Sequence, residues 1–414
     1  MELQTRGKRA RVRSTVSVGD RLSSLPDCLI HNIMSFMKAR QVVQTCVLST
    51  RWEHLWRSVP CLDIDQEELK EFKESWQKFE DFTDHLLIPN NISIALLDTF
   101  RLHVSSGYYW SKQAARWIRH AIKYSAQEPA IRHQGFSPSS WRLKRLYLSR
   151  IDLDNLFMNH VSSGCPCLED LELIGCPCAF HDITSHSLKN LILKKCSGLS
   201  SITSRTLKSL IITDVYTRSL LVITAPAIAY LLLEDMEACL CEGGGVKLEE
   251  MSSLGKASIH LRRNCIECEL SQGLFKLLCS VSNVTSLVLS GSKTMVPGEE
   301  PVKFPNFRNL RTLLLDNCDL SDNFKTLEHF LNNSPDLEKL TLQCCKFSKD
   351  LKKKKSKSKK ASSFQSLDMV DVKCHNLKHT EIIYKDDDVR QLVELLLSIS
   401  ANLPKNNIKL TKVD

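Results

Sequence analysis

The chain has 414 residues, 43% apolar and 25% charged, a composition that points to folded protein and a length that exceeds one compact core. No apolar run approaches the roughly 20 residues that span a bilayer, so a membrane role is not expected. The net charge of +9 hints at nucleic acid only until it is located: residues 1–13 carry five Lys/Arg against one Glu, residues 346–360 carry nine Lys against one Asp, and the remainder is about −3. A duplex-binding surface needs basic residues spread along folded elements that face regularly spaced phosphates, so nucleic acid is not expected as a partner.

Residues 1–19 read as a basic tail without the apolar stretch of a secretory signal, which places the chain on the reducing side of the cell with its 17 cysteines mostly free thiols. From 20 to 65 the apolar spacing predicts three short helices. Pro26 suits a first helical turn, where its missing amide hydrogen costs nothing, and Asp27 complements the helix dipole. Leu29, Ile30, Ile33, Phe36 and Met37 form an apolar stripe; Val42, Val43, Cys46 and Val47 recur in a second segment. Thr50 and Glu53 match a capping box opening a third helix, with Trp52, Leu55, Trp56 and Val59 on one face. A module this small cannot bury so much apolar surface in its own core, which implies a partner surface.

Residues 66–140 read as a connector whose helix, Ala114 to Tyr124, carries Trp117, Ile118, Ala121 and Ile122 on one face and forms an N-terminal cap for the region from 141 onward. From Leu143 the pattern L-x-x-L-x-L recurs, the strand signature of leucine-rich repeats. Clear copies start at Leu143, Leu168, Leu188, Leu207, Ile228, Val284, Leu310 and Leu337; weaker ones are Leu97/Phe100/Leu102, Ile259/Leu261 and Phe364/Leu367/Met369. Four copies end in Cys at the turn position: Cys176, Cys196, Cys318 and Cys345. Repeats 19 to 21 residues apart leave room only for an extended or tight return, whereas longer ones hold helices such as Asp322 to Asn333. The fold class expected is α/β: a leucine-rich-repeat solenoid of parallel strands over 141–370, preceded by the small three-helix module. Residues between the apolar positions, such as Lys144, Arg145 and Tyr147, would face outward from the strands as the substrate-binding surface.

The pairs Cys165/Cys167 and Cys176/Cys178, with His181 and His186 nearby, raise a zinc reading that their one-residue spacing disfavours; neither metal nor cofactor is expected. The lysine run 352–360 reads as a loop inserted in the array, and with the basic cluster 8–13 it favours residence in the nucleus as well as the cytoplasm. After it, residues 371–414 read as a C-terminal cap: a strand at HTEIIYK and a helix carrying Val389, Leu392, Val393, Leu396 and Ile399 on one face. No Walker loop, dinucleotide fingerprint, nucleophile elbow or His-Glu-x-x-His occurs, so no catalytic residue is assigned and the chain is not read as an enzyme.

The order Leu25-Pro26, an amphipathic helix closing on Ser35-Phe36-Met37, then Leu48-Ser49-Thr50-Arg51-Trp52 and Leu55-Trp56 resembles the F-box family in its plant form, and the C-terminus resembles the FBD domain that closes many plant F-box repeat proteins. Cys28 stands where an acidic residue is common, and Lys38 where a proline often follows the first helix. The resemblance implies a non-catalytic substrate receptor of an SCF-type ubiquitin ligase, docking through a Skp-type adaptor onto cullin and RING subunits. Carried over residue by residue, it assigns Leu25, Pro26, Leu29, Ile30, Ile33, Val43, Val47, Leu48 and Trp52 to the adaptor face or its support. The rival reading is a nuclear repeat scaffold or nucleic-acid-associated protein without a ligase role. The target protein is not legible.

Overall fold

In a computed structural model the described residues are 22, 24–69, 75–88, 91–93, 96–105, 111–126, 142–215, 220–235, 245–261, 270–292, 304–321, 324–346, 374–385, 393 and 406–413. The basic tail, the lysine run, the weak repeat at Phe364 and nearly all of the C-terminal helix expected after Asp386 lie outside them.

Three short helices open the fold, α1 (Asp27–Met34), α2 (Ala39–Gln44) and α3 (Trp52–Leu55). The first stops earlier than its apolar spacing predicts: Ser35 caps it, and Phe36 falls in the following turn. The capping box expected at Thr50/Glu53 does not form, because α3 begins only at Trp52 and has no side-chain cap.

The remaining chain builds one long parallel sheet. Its strands, in spatial order, are β1 (Cys61–Asp65), β2 (Thr99–His103), β3 (Arg145–Ser149), β4 (Asp170–Ile174), β6 (Asn190–Lys194), β8 (Ser209–Thr213), β10 (Tyr230–Glu234), β12 (Lys256–His260), β13 (Ser286–Ser290), β14 (Thr312–Asp316), β15 (Lys339–Gln343), β16 (His379–Tyr384) and β17 (Asn407–Lys412). The second and fourth residues of almost every strand are buried, because alternation sends them to the same side of the sheet, where each repeat stacks on the next. Extended returns form a second parallel sheet, β5 (Asp182–Ser185), β7 (Ser201–Ser204), β9 (Leu220–Thr224) and β11 (Gly245–Glu249), where the repeats are shortest. Longer repeats return through α6 (Phe157–Gly164), α7 (Leu270–Ser280) and α8 (Lys325–Asn332).

Three features depart from the sequence reading. The sheet starts at β1, inside the segment assigned to the helical module, on an unrecognised repeat Val59/Leu62/Ile64 that is wholly buried. The helix expected to cap the solenoid is α5 (Ser111–Ala126), which runs between β2 and β3 as the outer layer of a repeat, joined by α4 (Ser75–Leu87) through Trp117 Nε1 donating to Asp84 at 2.6 Å. The weak copy at Ile259/Leu261 is out of register: Leu254, Ala257 and Ile259 are the buried positions, and alanine hid the pattern because it carries little hydrophobic signal.

Eight strands of the main sheet end alike. Arg150, Gly175, Lys195, Asp214, Asp235, Gly291, Asn317 and Cys344 follow their strands with φ between 49° and 73°, turning the chain off the sheet. The turn cysteines come next, and their thiols donate to the carbonyl of the last buried strand leucine of the preceding repeat: Cys176 to Leu148, Cys196 to Leu173, Cys318 to Leu289 and Cys345 to Leu315, at 3.3–3.6 Å. Burial pushes the Cys165 and Cys176 thiols up to about 12 and the Cys196 and Cys374 thiols to about 11. A thiolate is the nucleophile, so in the native chain a maleimide at pH 7.5 is expected to label exposed Cys28 and Cys279 first, and to reach Cys176 and Cys196 only on unfolding; peptide mass mapping reads the order.

Candidate functional site

Two surfaces emerge, an apolar face on the helical module and the open face of the main sheet. On the module, one side of each helix is spent inward. Ile30, Met34, Ala39, Val42, Trp52 and Leu55 are buried in the same cluster as Leu62 and Ile64 of β1. Of the residues assigned to the adaptor face, Ile30 and Trp52 therefore serve as support from beneath; their apolar bulk is already packed. Leu25 and Val43 are half-buried against that cluster, whereas Pro26, Leu29, Ile33, Val47 and Leu48 are exposed. Trp56, on the same helical face as Trp52 and Leu55, is partly buried against that core.

The sequence reading missed two members of this surface. Phe36 is 86% exposed because α1 ends before it, and Leu22 is exposed at the module's start. A helix-period count placed Phe36 on one apolar stripe with Leu29, Ile30, Ile33 and Met37; the helix stops at Ser35, and Phe36 stands outward in the turn that follows. Leu22, Leu29, Ile33, Phe36, Val47 and Leu48 thus leave six apolar side chains in water within a single small module, well beyond the scattered exposure that a surface normally carries.

Lys38, the departure from the usual pattern, joins the module to the sheet. Its ammonium lies 3.1 Å from Asp63 and 2.9 Å from Asp65, side by side on the open face of β1, while Arg40 donates to the Glu68 carbonyl at 2.9 Å. Partial burial alone would push the Asp65 carboxyl upward, but hydrogen bonds and charge from Lys38, with the Glu67 amide, outweigh it and hold the carboxyl below its usual range. A depressed carboxyl contributes stability that is present above its unfolded value near 3.9 and lost as pH falls through the folded one. Lys38→Met is therefore expected to raise the pKa of Asp65, measured by carboxyl NMR titration, and to cost about 1 kcal/mol at neutral pH, the pair being partly exposed.

The open face begins at that junction with a cavity of about 320 Å³ bordered by Lys38, Asp65, Arg101, His103, Tyr147 and Glu172. Arg101 lies over the Tyr147 ring at 4.7 Å, and Glu172 takes Lys194 at 3.3 Å, so the charges here are largely matched within the chain. Of the three residues expected to face a target, Arg145 and Tyr147 stand on this face, Arg145 pairing with Asp170 at 3.2 Å. Lys144 does not: it precedes β3 and shares the parity of Leu146 and Leu148, with its backbone amide on the Asp98 carbonyl at 2.9 Å.

Nothing in the cysteine region resembles a metal centre. The Cys178 thiol donates to the Cys176 carbonyl, His181 bonds the Gly198 carbonyl at 2.8 Å, and among the described residues no group of three ligating side chains converges. Likewise, no described helix is long and apolar enough to cross a membrane.

Comparison with known proteins matches these two surfaces to two families. Residues 22–63 match the F-box domain and residues 132–410 the At1g61320/AtMIF1 LRR domain. The chain is 28% identical to the MEIOTIC F-BOX protein MOF of Oryza sativa subsp. japonica over 95% of this chain and 86% of that protein. It is also 28% identical to an F-box/FBD/LRR-repeat protein of Arabidopsis thaliana over 78% of this chain and 79% of that one, and 25% identical to an F-box/LRR-repeat protein of the same plant over 78% and 73%. With the repeat model covering well over half of its length and an F-box fused to the first strand, the chain belongs to the F-box/LRR-repeat proteins known from plants.

Proposed function

We propose that the chain is the substrate receptor of an SCF-type ubiquitin ligase, with the F-box held by a Skp-type adaptor and a target protein held by the repeat sheet. The observation that supports it is the division of the F-box surface: one side of each helix is packed into the solenoid, and six apolar side chains remain outside. Burying such side chains fully contributes about 1.5–3 kcal/mol each, a gross gain on the order of 10 kcal/mol, much of which association entropy offsets. On this reading Leu25, Pro26, Leu29, Ile33, Val43, Val47 and Leu48, with Leu22 and Phe36, form the adaptor contact, and Ile30 and Trp52 hold it in shape.

The chain's contribution is proximity. The core continuous from α1 through β1, with Lys38 bridging the two, fixes the sheet relative to the adaptor, so a bound target shares one assembly with charged ubiquitin. Cullin and RING subunits join through the adaptor, in the nucleus, the cytoplasm or both. Co-expression of the full chain with a Skp-type adaptor and cullin tests the reading: a stoichiometric complex on size exclusion is expected, and failure of the folded wild type to assemble overturns it.

A further inference from the structure

Stacking carries the register of the main sheet past the ends of its strands, so the turn cysteines of neighbouring repeats meet. β14 and β15 pair in register as far as Asp316 and Gln343, and the pairing resumes beyond the turn at Asp319 and Lys346, where the Lys346 amide donates to the Cys318 carbonyl at 2.8 Å. Counted from either side, Cys318 stands opposite Cys345. Their thiols occupy the same slot one repeat apart, donating to the Leu289 and Leu315 carbonyls at 3.3 Å each. Parallel neighbours lie about 4.8 Å apart, inside the Cα separation of about 4.4–6.8 Å that a disulfide spans.

Two features separate this pair from Cys176 and Cys196, which the Pro177/Ser197 bridge places in register in the same way. The first is access: Cys176 and Cys196 are fully buried, whereas Cys345 is half-buried beside buried Cys318. The second is the polar surroundings. Buried Ser292 stands in register on the other side of Cys318, its carbonyl taking the Asp319 amide at 2.8 Å. The Cys345 thiol, with the Ser292 hydroxyl and amide, lies within hydrogen-bonding reach of the Cys318 sulfur and holds that thiol below its ordinary range against the effect of burial. The same contact, with burial, pushes the Cys345 thiol upward and keeps its proton in place as the donor. Cys176 and Cys196 are both pushed upward, chiefly by burial. Thiolate is the attacking species in thiol oxidation, so Cys318 is the nucleophile of the pair and Cys345 the sulfur beside it.

We propose that Cys318 and Cys345 form a peroxide-sensitive dithiol, which closes to a disulfide between the repeats of β14 and β15 and reopens on reduction. Hydrogen peroxide is small enough to reach the pair along half-buried Cys345. The Cys318 thiolate attacks one peroxide oxygen: an S–O bond forms, the O–O bond breaks, and hydroxide leaves and takes up the proton that the thiol released. The Cys345 sulfur then attacks the sulfenic Cys318; the S–S bond forms, the S–O bond breaks, and a second water leaves with the Cys345 proton. Two thiols give up two electrons and the peroxide takes them. A glutathione-type thiol reverses the change by exchange at the more exposed Cys345 sulfur, releasing Cys318, and a second such thiol then frees Cys345 and is itself left as a disulfide. The closed bond encircles α8 and β15 and ties them to β14, restricting the unfolded chain, while the Leu289 and Leu315 carbonyls lose their thiol donors and offset part of that gain.

The test uses the full chain, fully reduced and then exposed to a small excess of hydrogen peroxide at neutral pH. Remaining thiols are blocked with maleimide in urea, and tryptic peptides are mapped by mass spectrometry. The expected product joins the peptides that hold Cys318 and Cys345, two hydrogen atoms lighter than their sum, while Cys176 and Cys196 carry the maleimide. Dithiothreitol is expected to restore labelling at both Cys318 and Cys345. Cys344 shares the second peptide, so fragmentation locates the bond in the wild type, and Cys344→Ser is expected to keep the link that Cys318→Ser and Cys345→Ser abolish. The wild-type result stands whether or not a variant folds. Both thiols still labelled after peroxide, sulfinic acid in place of the link, or a bond that runs through Cys344 overturns the inference. So does a bond that forms as readily between Cys176 and Cys196, since it would then belong to any stacked pair of turn cysteines.

Discussion

Changing Leu29 and Ile33 together to Asp is expected to leave the chain folded while abolishing its assembly with a Skp-type adaptor. Both side chains lie on the exposed side of α1, 47% and 41% accessible, so a carboxylate there remains hydrated in the free protein and its melting temperature stays close to wild type. In a complex the same two carboxylates would be buried without partners, which costs far more than the lost apolar contact. Affinity measured by biolayer interferometry is expected to fall by at least about 100-fold. Trp52→Ala is the contrasting case: only 3% exposed and packed under the same face, it is expected to cost about 3–5 kcal/mol of stability, and to lose assembly because the module deforms. Should the double Asp variant assemble as well as wild type, the adaptor contact is not on this face.

Gly291→Ala is expected to destabilise the middle of the solenoid by about 3 kcal/mol, whereas Gly175→Ala costs about 1 kcal/mol or less. Both glycines occupy the left-handed turn after a strand, with φ of 73° and 62°, and other repeats tolerate Arg, Lys and Asp at this point. Conformation alone therefore does not demand glycine. What separates them is the neighbour: a Cβ on Gly291 would sit 2.2 Å from the Leu261 carbonyl oxygen of the preceding repeat, while one on Gly175 would meet the flexible Arg150 side chain at 3.4 Å. Backbone cannot yield without breaking the ladder, in which Leu261 donates to Ser290 and Gly291 to Asp316. Urea unfolding followed by circular dichroism compares the two; equal midpoints would refute the steric account.

Much of this architecture was legible because its signals are local. The recurring L-x-x-L-x-L spacing determined β3, β4, β6, β8, β10, β13, β14 and β15 by itself, since alternation in a parallel strand and stacking of identical repeats leave large aliphatic residues no other place to be buried. The turn cysteines were readable for the same reason: Cys176, Cys196, Cys318 and Cys345 stand at one fixed offset from their strands, where other repeats bury Ile151 or Val215 instead. Where the residue was small or the repeat overlapped another motif, the signal failed, as at Ala257 in β12 and at β1 within the F-box.

Site residues divide along the same line. Sequence spacing alone determined which F-box residues are apolar, and hence the set from which an adaptor face must be drawn. It did not say which side of each helix faces out, because a helix between two apolar surfaces has no polar side to betray its orientation. Only the tertiary structure decided that Ile30 and Trp52 go inward and that Leu29, Ile33 and Phe36 stay outside, through the one contact that sequence distance conceals: the packing of α1 to α3 on β1.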